Sequence, residues 1–325
     1  MMNKMIASDS LSYEIGAYED SRHAEVLEDL KIGEYGYKYR ELDGVIVPPY
    51  VTPNRYALSR RLATRPGDIC YVSYPKSGST WLAHIIVLIT NNGFTPHDGT
   101  LRSHLHWVES SWTYPRSQHE LDSLPSPRIF KSHMPYHMAL GGDPANNLCK
   151  YVYICRNPKD VAVSYYHFER GQTWSGNYDG PWAHWLEMFL DGKLQRGNWF
   201  DHVLSWWAHA DAENILLLKY EDLLMDFAGQ LKKLMDFLGY PFTARILERI
   251  RERTSFENMK DGRFSNMREI DGFQGFFRKG QIGSWKEQFT PEQNERFDEV
   301  IQKRLQGTGL SFLYEEPQPD ASAGG

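Results

Sequence analysis

Three short apolar runs, each followed by a helical pattern, constrain the fold of this chain more than any other feature of its sequence. The runs lack polar residues at alternate positions, so each predicts a strand that is buried on both faces of a sheet. Helices between such strands imply parallel crossover connections. We therefore expect an α/β fold with a central parallel sheet flanked by helices. The predicted strands are 69–73, 151–155 and 215–219, and the predicted helices are 80–90, 160–169 and 227–238.

The rest of the chain predicts a single domain with loose ends. Its 325 residues are 41% hydrophobic and 14% aromatic, which is enough for a large buried core. No internal repeat and no long Gly/Ser-rich or charged linker divides it. Residues 1–30 are polar and weakly patterned, and residues 316–325 contain nothing that can pack. We expect one domain over 31–315 between two loosely ordered segments.

Charge and cysteine content exclude several classes of protein. A formal net charge of −6 argues against a surface that coats a nucleic acid, although a local basic pocket remains compatible with it. Cys70, Cys149 and Cys155 fit neither a disulfide framework nor a cysteine-based zinc site, and reduced, buried thiols are expected. The longest aliphatic stretch, 85–89, is too short to span a bilayer, and the N-terminus lacks a signal pattern. We expect a cytoplasmic protein without nucleic-acid or membrane partners.

The junction between the first predicted strand and its helix predicts an anion site. Residues 74–81 read Tyr-Pro-Lys-Ser-Gly-Ser-Thr-Trp. Free backbone N–H groups, the positive end of the helix dipole, Lys76 and three hydroxyls meet there, which favours phosphate or sulfate. Ordinary helix capping by Ser and Thr is the structural alternative, but Lys76 gains little from it. Because the lysine precedes Gly78, the loop is not the nucleoside-triphosphate signature.

Two later segments carry cations that suit a second phosphate. In 153–168, Arg156 stands at a strand end and Ser164 about two turns into the following helix, where they can offer bidentate and neutral donors. In 276–286, adjacent cations are combined with glycines that let the backbone approach an anion closely. Taken alone, Arg156 is more typical of a surface ion pair, and the cations of 276–286 are more typical of a basic surface loop.

A lysine and a histidine two residues apart are candidates for the reacting centre. In an extended backbone, Lys131 and His133 point to the same side. The chain has twelve histidines, so His133 by itself would more often be structural. The histidines near 97–119 lack the accompanying carboxylate pattern of a metal site, and no metal site is predicted.

Together, and in this order, these segments resemble the cytosolic sulfotransferases over about 68–312. Residues 74–81 resemble the family's 5′-phosphosulfate loop, with Ser79 where threonine is commoner, and residues 128–135 resemble its Lys-Thr/Ser-His-Leu-Pro element. Segments 153–168 and 276–286 resemble the two halves of its 3′-phosphate site. The resemblance implies a single sulfotransferase domain with a strand-loop-helix phosphosulfate loop. It also implies transfer of the sulfuryl group of 3′-phosphoadenosine-5′-phosphosulfate (PAPS) to a hydroxyl or amine of a small molecule, with the bisphosphate PAP as product and without a metal.

The resemblance implies a role for individual residues. His133 would take the acceptor proton, Lys76 would stabilise the departing bridge oxygen and Lys131 the sulfonate. Ser164 would bond the 3′-phosphate and restrain Lys76. The implied catalytic residues are therefore His133, Lys76, Lys131 and Ser164. The implied cofactor-binding residues, including those around the adenine, are Lys76, Ser77, Gly78, Ser79, Thr80, Trp81, Arg156, Ser164, Tyr220, Thr254, Ser255, Phe256, Met259, Phe276, Phe277, Arg278, Lys279 and Gly280.

The acceptor and two competing functions stay open in the sequence. A kinase on a similar sheet would need nucleoside triphosphate and magnesium, and a non-enzymatic nucleotide-binding protein would bind without turnover. The acceptor walls are expected within 92–118, 171–182 and 260–275. These segments supply tryptophans for an aromatic lining and carboxylates that could attract a cation, so phenol, alcohol, sterol and amine all fit. The residues are Trp107, Trp112, Trp174 and Trp182, and Glu109, Asp179 and Asp261.

Residues 286–295 bear on assembly. They resemble the dimer motif of the cytosolic sulfotransferases, Lys-x-x-x-Thr-Val-x-x-x-Glu, with Pro291 in place of the valine. Thr290 followed by Pro291 is also typical of a helix start. Because proline removes a backbone N–H from a small contact, we expect a monomer or a weak homodimer.

Overall fold

The computed structural model of the protein describes residues 29–111, 113, 117–266 and 276–317. Most of the two ends predicted to be loose, 1–28 and 318–325, lies outside the described residues, as do Trp112 and residues 267–275 of the expected acceptor wall.

A parallel sheet lies at the centre of the fold, as predicted, and within the described residues it has four strands. The strands of the chain are β1 (Lys31–Ile32), β2 (Lys38–Leu42), β3 (Val45–Val47), β4 (Ile69–Val72), β5 (Ile129–Ser132), β6 (Lys150–Cys155) and β7 (Ile215–Lys219). The central sheet has the strand order β5-β4-β6-β7, and a separate antiparallel sheet, β1-β2-β3, precedes it in the chain. The three predicted strands match β4, β6 and β7 to within a residue at each end. The sequence did not predict β5 or the small antiparallel sheet.

Helices cover the sheet and begin where the sequence supplies caps. Asn157 accepts a hydrogen bond from the backbone of Asp160 and starts the helix after β6, with Pro158 at its first position. The α-helices of the described residues are α1 (Pro53–Arg60), α2 (Ser79–Thr90), α3 (Gln118–Asp122), α4 (Pro158–Glu169), α5 (Trp182–Leu190), α6 (Trp199–Trp207), α7 (Tyr220–Met225), α8 (Phe227–Leu238), α9 (Ala244–Arg253), α10 (Phe256–Asp261) and α11 (Pro291–Leu305). The three predicted helices match α2, α4 and α8 to within two residues.

Both faces of the central sheet are buried, which explains the continuous apolar runs. In β4, Cys70 and Val72 join a core cluster that contains three fully buried tryptophans of α5 and α6. Ile69 and Tyr71 point to the opposite face and pack in a second cluster with residues 82–89 of α2. The three cysteines are buried free thiols, as predicted. No helix within the described residues has the length and apolar character needed to cross a membrane.

The carboxyl edge of the sheet brings together the segments singled out in the sequence. The chain leaves β4 through the 73–78 loop, β5 at His133, β6 at Arg156 and β7 directly into α7. The chain passes from β4 to its neighbour β5 and then crosses back over β4 to β6 on its other side, so the strand order reverses at β4. Such a switch point leaves a crevice outside the strand ends, where ligands of open α/β sheets bind.

Candidate active site

A cavity of about 430 Å³ opens at this carboxyl edge. Seventeen of the eighteen predicted cofactor-binding residues line it, and Ser77 is the exception. Ser77 is fully buried, and its hydroxyl has no hydrogen-bond partner among the described residues. The remaining lining residues, which the sequence did not indicate, are Leu223, Leu224, Phe227 and Arg251.

The loop after β4 leaves the start of α2 free to bind an anion. Lys76 and Gly78 adopt positive φ angles of 68° and 100°, which turn the chain sharply into the helix. No side chain caps the first turn of α2, so its backbone donors are not taken up by a capping group. A β-carbon at Gly78 would lie 2.7 Å from Cδ2 of Tyr220. Glycine is therefore required both for the turn and for the approach of the Tyr220 ring.

Lys76 lies in an aromatic and strongly electropositive environment. Its Nζ lies 4.2 Å from the ring centre of Phe168 and 4.6 Å from that of Phe276. Burial lowers the pKa of Lys76 to about 7, with a further lowering by Arg156 and Arg278 and an opposing effect of Glu169. An incoming anion would relieve this destabilisation of the ammonium form.

Arg156 lies at the end of β6 and is held in place by several contacts. Its guanidinium lies 4.5 Å from the ring centre of Tyr220, donates to the Gln281 carbonyl at 2.8 Å and pairs with Asp160 at 3.4 Å. Asp160 in turn accepts hydrogen bonds from the backbone of Gly283 and Trp285, each at 3.0 Å. The same carboxylate therefore orders Arg156 and the segment that follows Lys279.

The two other cations of the segment after 276 differ in exposure. Arg278 donates to Ser284, which itself donates to Asp160 at 3.0 Å, so it belongs to the same network. Lys279 is one-third exposed and forms an ion pair with Glu287. Arg278 is thus the better fixed of the two adjacent cations.

The lining of the cavity is strongly cationic. Five of the lining residues are Lys or Arg, and none of those described is Asp or Glu. A cleft lined by charges of one sign attracts a ligand of the opposite sign, so this lining fits a ligand that brings several negative groups.

Aromatic residues form another part of the cavity lining. The Trp81 ring stacks on Phe227 with centroids 6.1 Å apart and meets the edge of Tyr220 at 5.4 Å. The Arg251 guanidinium lies 5.8 Å from the Phe227 centroid. Arg251 lies one helical turn before the predicted Thr254, and this spacing is the sequence signal that could have identified it.

A hydrogen bond to the backbone holds His133 in one tautomer. Its Nδ1 donates to the Ser73 carbonyl at 2.7 Å, so the Nε2 atom of the neutral ring carries the lone pair. Burial lowers the pKa of His133 well below the usual range, and Lys131 and Arg196 lower it further. The ring is therefore neutral at physiological pH and able to take a proton.

Lys131 accompanies the histidine, as the sequence predicted from their spacing. Its Nζ lies 3.8 Å from the ring centre of Trp107, whose ring in turn meets the edge of His133 at 5.6 Å. Burial lowers the pKa of Lys131 to about 7, and the nearby Arg102 and Arg196 lower it further. Neither His133 nor Lys131 lines the 430 Å³ cavity. The pair Lys131 and His133 therefore lies outside this cavity.

A series of aromatic ring contacts runs from His133 to Phe168, the ring that the Lys76 ammonium contacts. Tyr50 contacts both Trp107 and Trp174, with centroids 5.0 and 4.9 Å apart, and Trp174 contacts Phe168 at 6.5 Å. Two of the four predicted tryptophans, Trp107 and Trp174, therefore belong to this aromatic group. Trp182 does not, because it packs against Tyr166 and Phe289 in the core.

The three carboxylates considered as partners of a cationic acceptor differ in burial and in position. Glu109 is fully buried, and both of its oxygens accept hydrogen bonds within the protein. Asp179 is exposed, and Asp261 lies at the end of α10, next to the undescribed part of the predicted wall. Both Glu109 oxygens are therefore engaged by donors of the protein itself.

Residues 66–309 match the protein family described as the sulfotransferase domain. The chain belongs to the sulfotransferase family. It is 35% identical over 289 residues to human (Homo sapiens) sulfotransferase 1C2, with 86% of this chain and 96% of the relative covered. It is 36% identical over 281 residues to dog (Canis lupus familiaris) sulfotransferase 1B1, with coverage of 82% and 93%. The crystal structure of mouse sulfotransferase SULT7A1 complexed with PAP superposes with a TM-score of 0.71, at 32% identity over 83% of this chain and 94% of that one.

These relationships confirm the family and fold expected from the sequence. A sulfotransferase domain matched from 66 to 309 covers every segment that carried the resemblance, from the 74–81 loop to 276–286. The protein is an enzyme of this family, so the kinase and the non-enzymatic binding protein are no longer competing interpretations. The described residues hold no group of three or more His, Cys, Asp or Glu side chains placed to bind a metal ion.

Proposed function

We propose that this sulfotransferase moves the sulfuryl group of PAPS to a hydroxyl or amine of a small-molecule acceptor, with His133 as the general base. The observation that carries the proposal is the cavity with five cationic lining residues and no Asp or Glu among the lining residues described. PAPS brings phosphate and sulfate oxygens that match those cations. The relative of known structure, mouse SULT7A1, was crystallised in complex with PAP, and this supports a cavity for the same nucleotide in this chain.

The residues of this chain fit the parts of PAPS one by one. The first turn of α2 and Lys76 would hold the 5′-phosphosulfate, and Arg156, Ser164, Arg278 and Lys279 the 3′-phosphate. The adenine would lie between the aromatic rings of the cavity lining. When bound, PAPS supplies an activated sulfuryl group attached to a good leaving phosphate.

The protein's part in the reaction is to move one proton and to stabilise charge. Nε2 of His133 takes the proton of the acceptor hydroxyl as its oxygen forms the new bond to sulfur. Lys76 stabilises the bridge oxygen that keeps the electrons of the broken bond, and Lys131 stabilises the equatorial sulfonate oxygens. The products are a sulfate ester and PAP, or a sulfamate and PAP when the acceptor is an amine. Fixed cations thus provide the positive field that this transfer requires.

The acceptor pocket is proposed around His133, where Tyr50, Trp107, Phe168 and Trp174 form a continuous aromatic group. Flat, mainly apolar acceptors would bury well between such rings. Turnover of labelled PAPS with phenols, alcohols, sterols and amines tests this. The proposal expects sulfated product with at least one class and the highest kcat/KM for flat aromatic acceptors. Tight PAP binding without turnover of any class would contradict it.

The remaining expectations from the sequence join this proposal. They are a domain that spans 31–315, a cytoplasmic location and a monomer or weak homodimer.

The expectation about assembly concerns the start of α11. Thr290 and Gln293 form a capping box, and Pro291 is the first residue of α11. Gln293 also accepts a hydrogen bond from Trp182 at 2.9 Å, so this stretch has a complete structural role within one chain. Sedimentation over a wide concentration range tests assembly, and a dimer that persists at nanomolar protein would contradict the expectation.

A further inference from the structure

Glu109 lies directly behind the reacting centre and contacts three of its parts. Its Oε1 accepts from the backbone N–H of His133 and from Trp107 Nε1, each at 3.1 Å, and its Oε2 accepts from the Ser132 hydroxyl at 2.8 Å. The side chain is fully buried. Buried carboxylates are costly unless they are paired and hydrogen-bonded, and this one makes all of its contacts next to the proposed base.

The counter-ion of Glu109 is a second buried charge. Arg196 Nη1 lies 3.3 Å from Glu109 Oε1, and both side chains are almost completely buried. Arg196 has a positive φ of 80°, and its backbone N–H bonds to the Ile46 carbonyl, which fixes it against the small antiparallel sheet. Without Glu109, the Arg196 guanidinium would be an unbalanced buried charge near Lys131 and His133.

Other hydrogen bonds hold the His133 backbone and the segment before Glu109, but none of them joins the side chains that Glu109 joins. His202 Nε2 donates to the His133 carbonyl at 3.0 Å, and Ser73 fixes the imidazole ring. The segment before Glu109 is tied to β5, because the His106 N–H donates to Ile129 at 2.8 Å and the His106 carbonyl accepts from Lys131 at 3.0 Å. Glu109 alone among these groups joins His133, Ser132 and Trp107 through one side chain.

We propose that Glu109 is a positioning residue for sulfuryl transfer, which holds the His133 backbone and the Trp107 indole in one arrangement and balances the charge of Arg196 behind them. This inference rests on the proposed function, in which His133 is the base. Trp107 transmits the effect further, since its ring contacts both Lys131 and His133. Small displacements of a base or of a positioning group cost large factors in rate, whereas binding in the separate cavity would be preserved.

The main test compares Glu109→Gln with Asp68→Asn. Asp68 is also a fully buried carboxylate paired with an arginine, Arg128, but this pair lies at the amino ends of β4 and β5, away from the site. Active enzyme is counted by PAP titration, so loss of folded protein is separated from loss of rate. In Glu109→Gln we expect kcat to fall by about 10- to 100-fold with PAP affinity within about threefold of wild type. In Asp68→Asn we expect lower thermal stability but an unchanged kcat per PAP-binding site.

The pH profile gives a second measurement that a merely structural role would not change. The charged and titratable groups that face Lys131 are Arg102, Arg196, Glu109, Lys76 and the neutral His133. Among them Glu109 favours the protonated amine. Its neutralisation should lower the pKa of Lys131 further, because a nearby negative charge stabilises the ammonium form. The alkaline limb of kcat should therefore move to lower pH in Glu109→Gln and stay in place in Asp68→Asn.

The variant Glu109→Asp separates charge from position and covers a failure of Glu109→Gln to fold. It keeps the negative charge on a shorter side chain, so we expect a lower kcat with an unchanged alkaline limb. Wild-type kcat per PAP-binding site in either Glu109 variant would overturn the inference. The proposed function fails separately, if His133→Ala keeps wild-type turnover whatever the Glu109 variants do.

Discussion

Lys76 makes a quantitative prediction about how the co-product PAP binds. In the free protein, burial together with Arg156 and Arg278 holds the pKa of this lysine at about 7. A phosphate beside it would favour the ammonium form and raise the pKa toward its ordinary value. PAP should therefore bind the protonated form, and above pH 7 binding should take up a proton from the solution.

The size of the effect follows from that pKa. If PAP binds the ammonium form alone, the apparent Kd scales with one plus the ratio of neutral to charged Lys76. Between pH 7 and 8.5 this gives an increase in Kd of about 15-fold, and at pH 8.5 an uptake of nearly one proton. The phosphates of PAP are almost fully ionised over this range, since their second pKa is about 6. The sign is fixed, because a lysine whose pKa rises on binding can only weaken binding as the pH rises.

Isothermal titration in buffers of different ionisation enthalpy measures both quantities. Lys76→Met should bind PAP more weakly but lose most of the pH dependence. Lys279→Met is the matched control, because Lys279 is one-third exposed and lies in the same cavity. It should bind more weakly and keep the wild-type pH dependence. If Lys76→Met keeps the full proton uptake, Lys76 is not the group that titrates and the reasoning fails.

Two further predictions concern the cofactor cavity. Arg156→Ala should weaken PAP binding by about 1.5 to 3 kcal/mol through loss of charge-assisted hydrogen bonds, whereas the more exposed Lys279→Ala should cost less than about 1 kcal/mol. Neither change should affect a nucleotide that lacks the 3′-phosphate, and equal losses for both nucleotides in calorimetry would move these residues away from that phosphate. Gly78→Ala should strain a positive-φ position by about 1 to 3 kcal/mol and displace Tyr220, so PAP affinity should fall at least about tenfold. Wild-type affinity in that variant would show that the Tyr220 ring can move without cost.

The fold and the cofactor cavity could largely be predicted from the sequence because local signals determine them. A strand buried on both faces has no polar alternation, and the β4 loop carries its lysine, glycine and hydroxyls in consecutive positions. Ser77 was predicted to bind the cofactor but does not line the cavity. Its position in the loop does not determine whether its side chain faces the cavity or the core. Phe227 and Arg251 were missed for a related reason. Phe227 of α8 reaches the cavity by stacking on Trp81, a long-range contact that no local motif encodes. Arg251 has only its spacing to Thr254 as a sequence signal.

The surroundings of the reacting centre were less predictable. Glu109 could be read from the sequence as a charge near the acceptor, but its partners Arg196 and His133 lie 87 and 24 positions away along the chain. Only the tertiary arrangement shows that its oxygens are occupied. Trp182 was assigned to the acceptor wall with the other tryptophans, yet the amphipathic packing of α5 directs it into the core. Long-range pairing of this kind depends on the complete fold.

The measurement that tests the account most directly is the turnover of His133→Ala. The neutral ring, with Nδ1 bonded to Ser73 and a pKa well below the usual range, is arranged to accept a proton through Nε2. We expect kcat for a phenol or alcohol acceptor to fall by about 10² to 10⁴, the usual contribution of a positioned general base. PAP affinity should stay near that of the wild type, since His133 lies outside the cofactor cavity. A variant that keeps near-normal kcat would show that another group takes the acceptor proton.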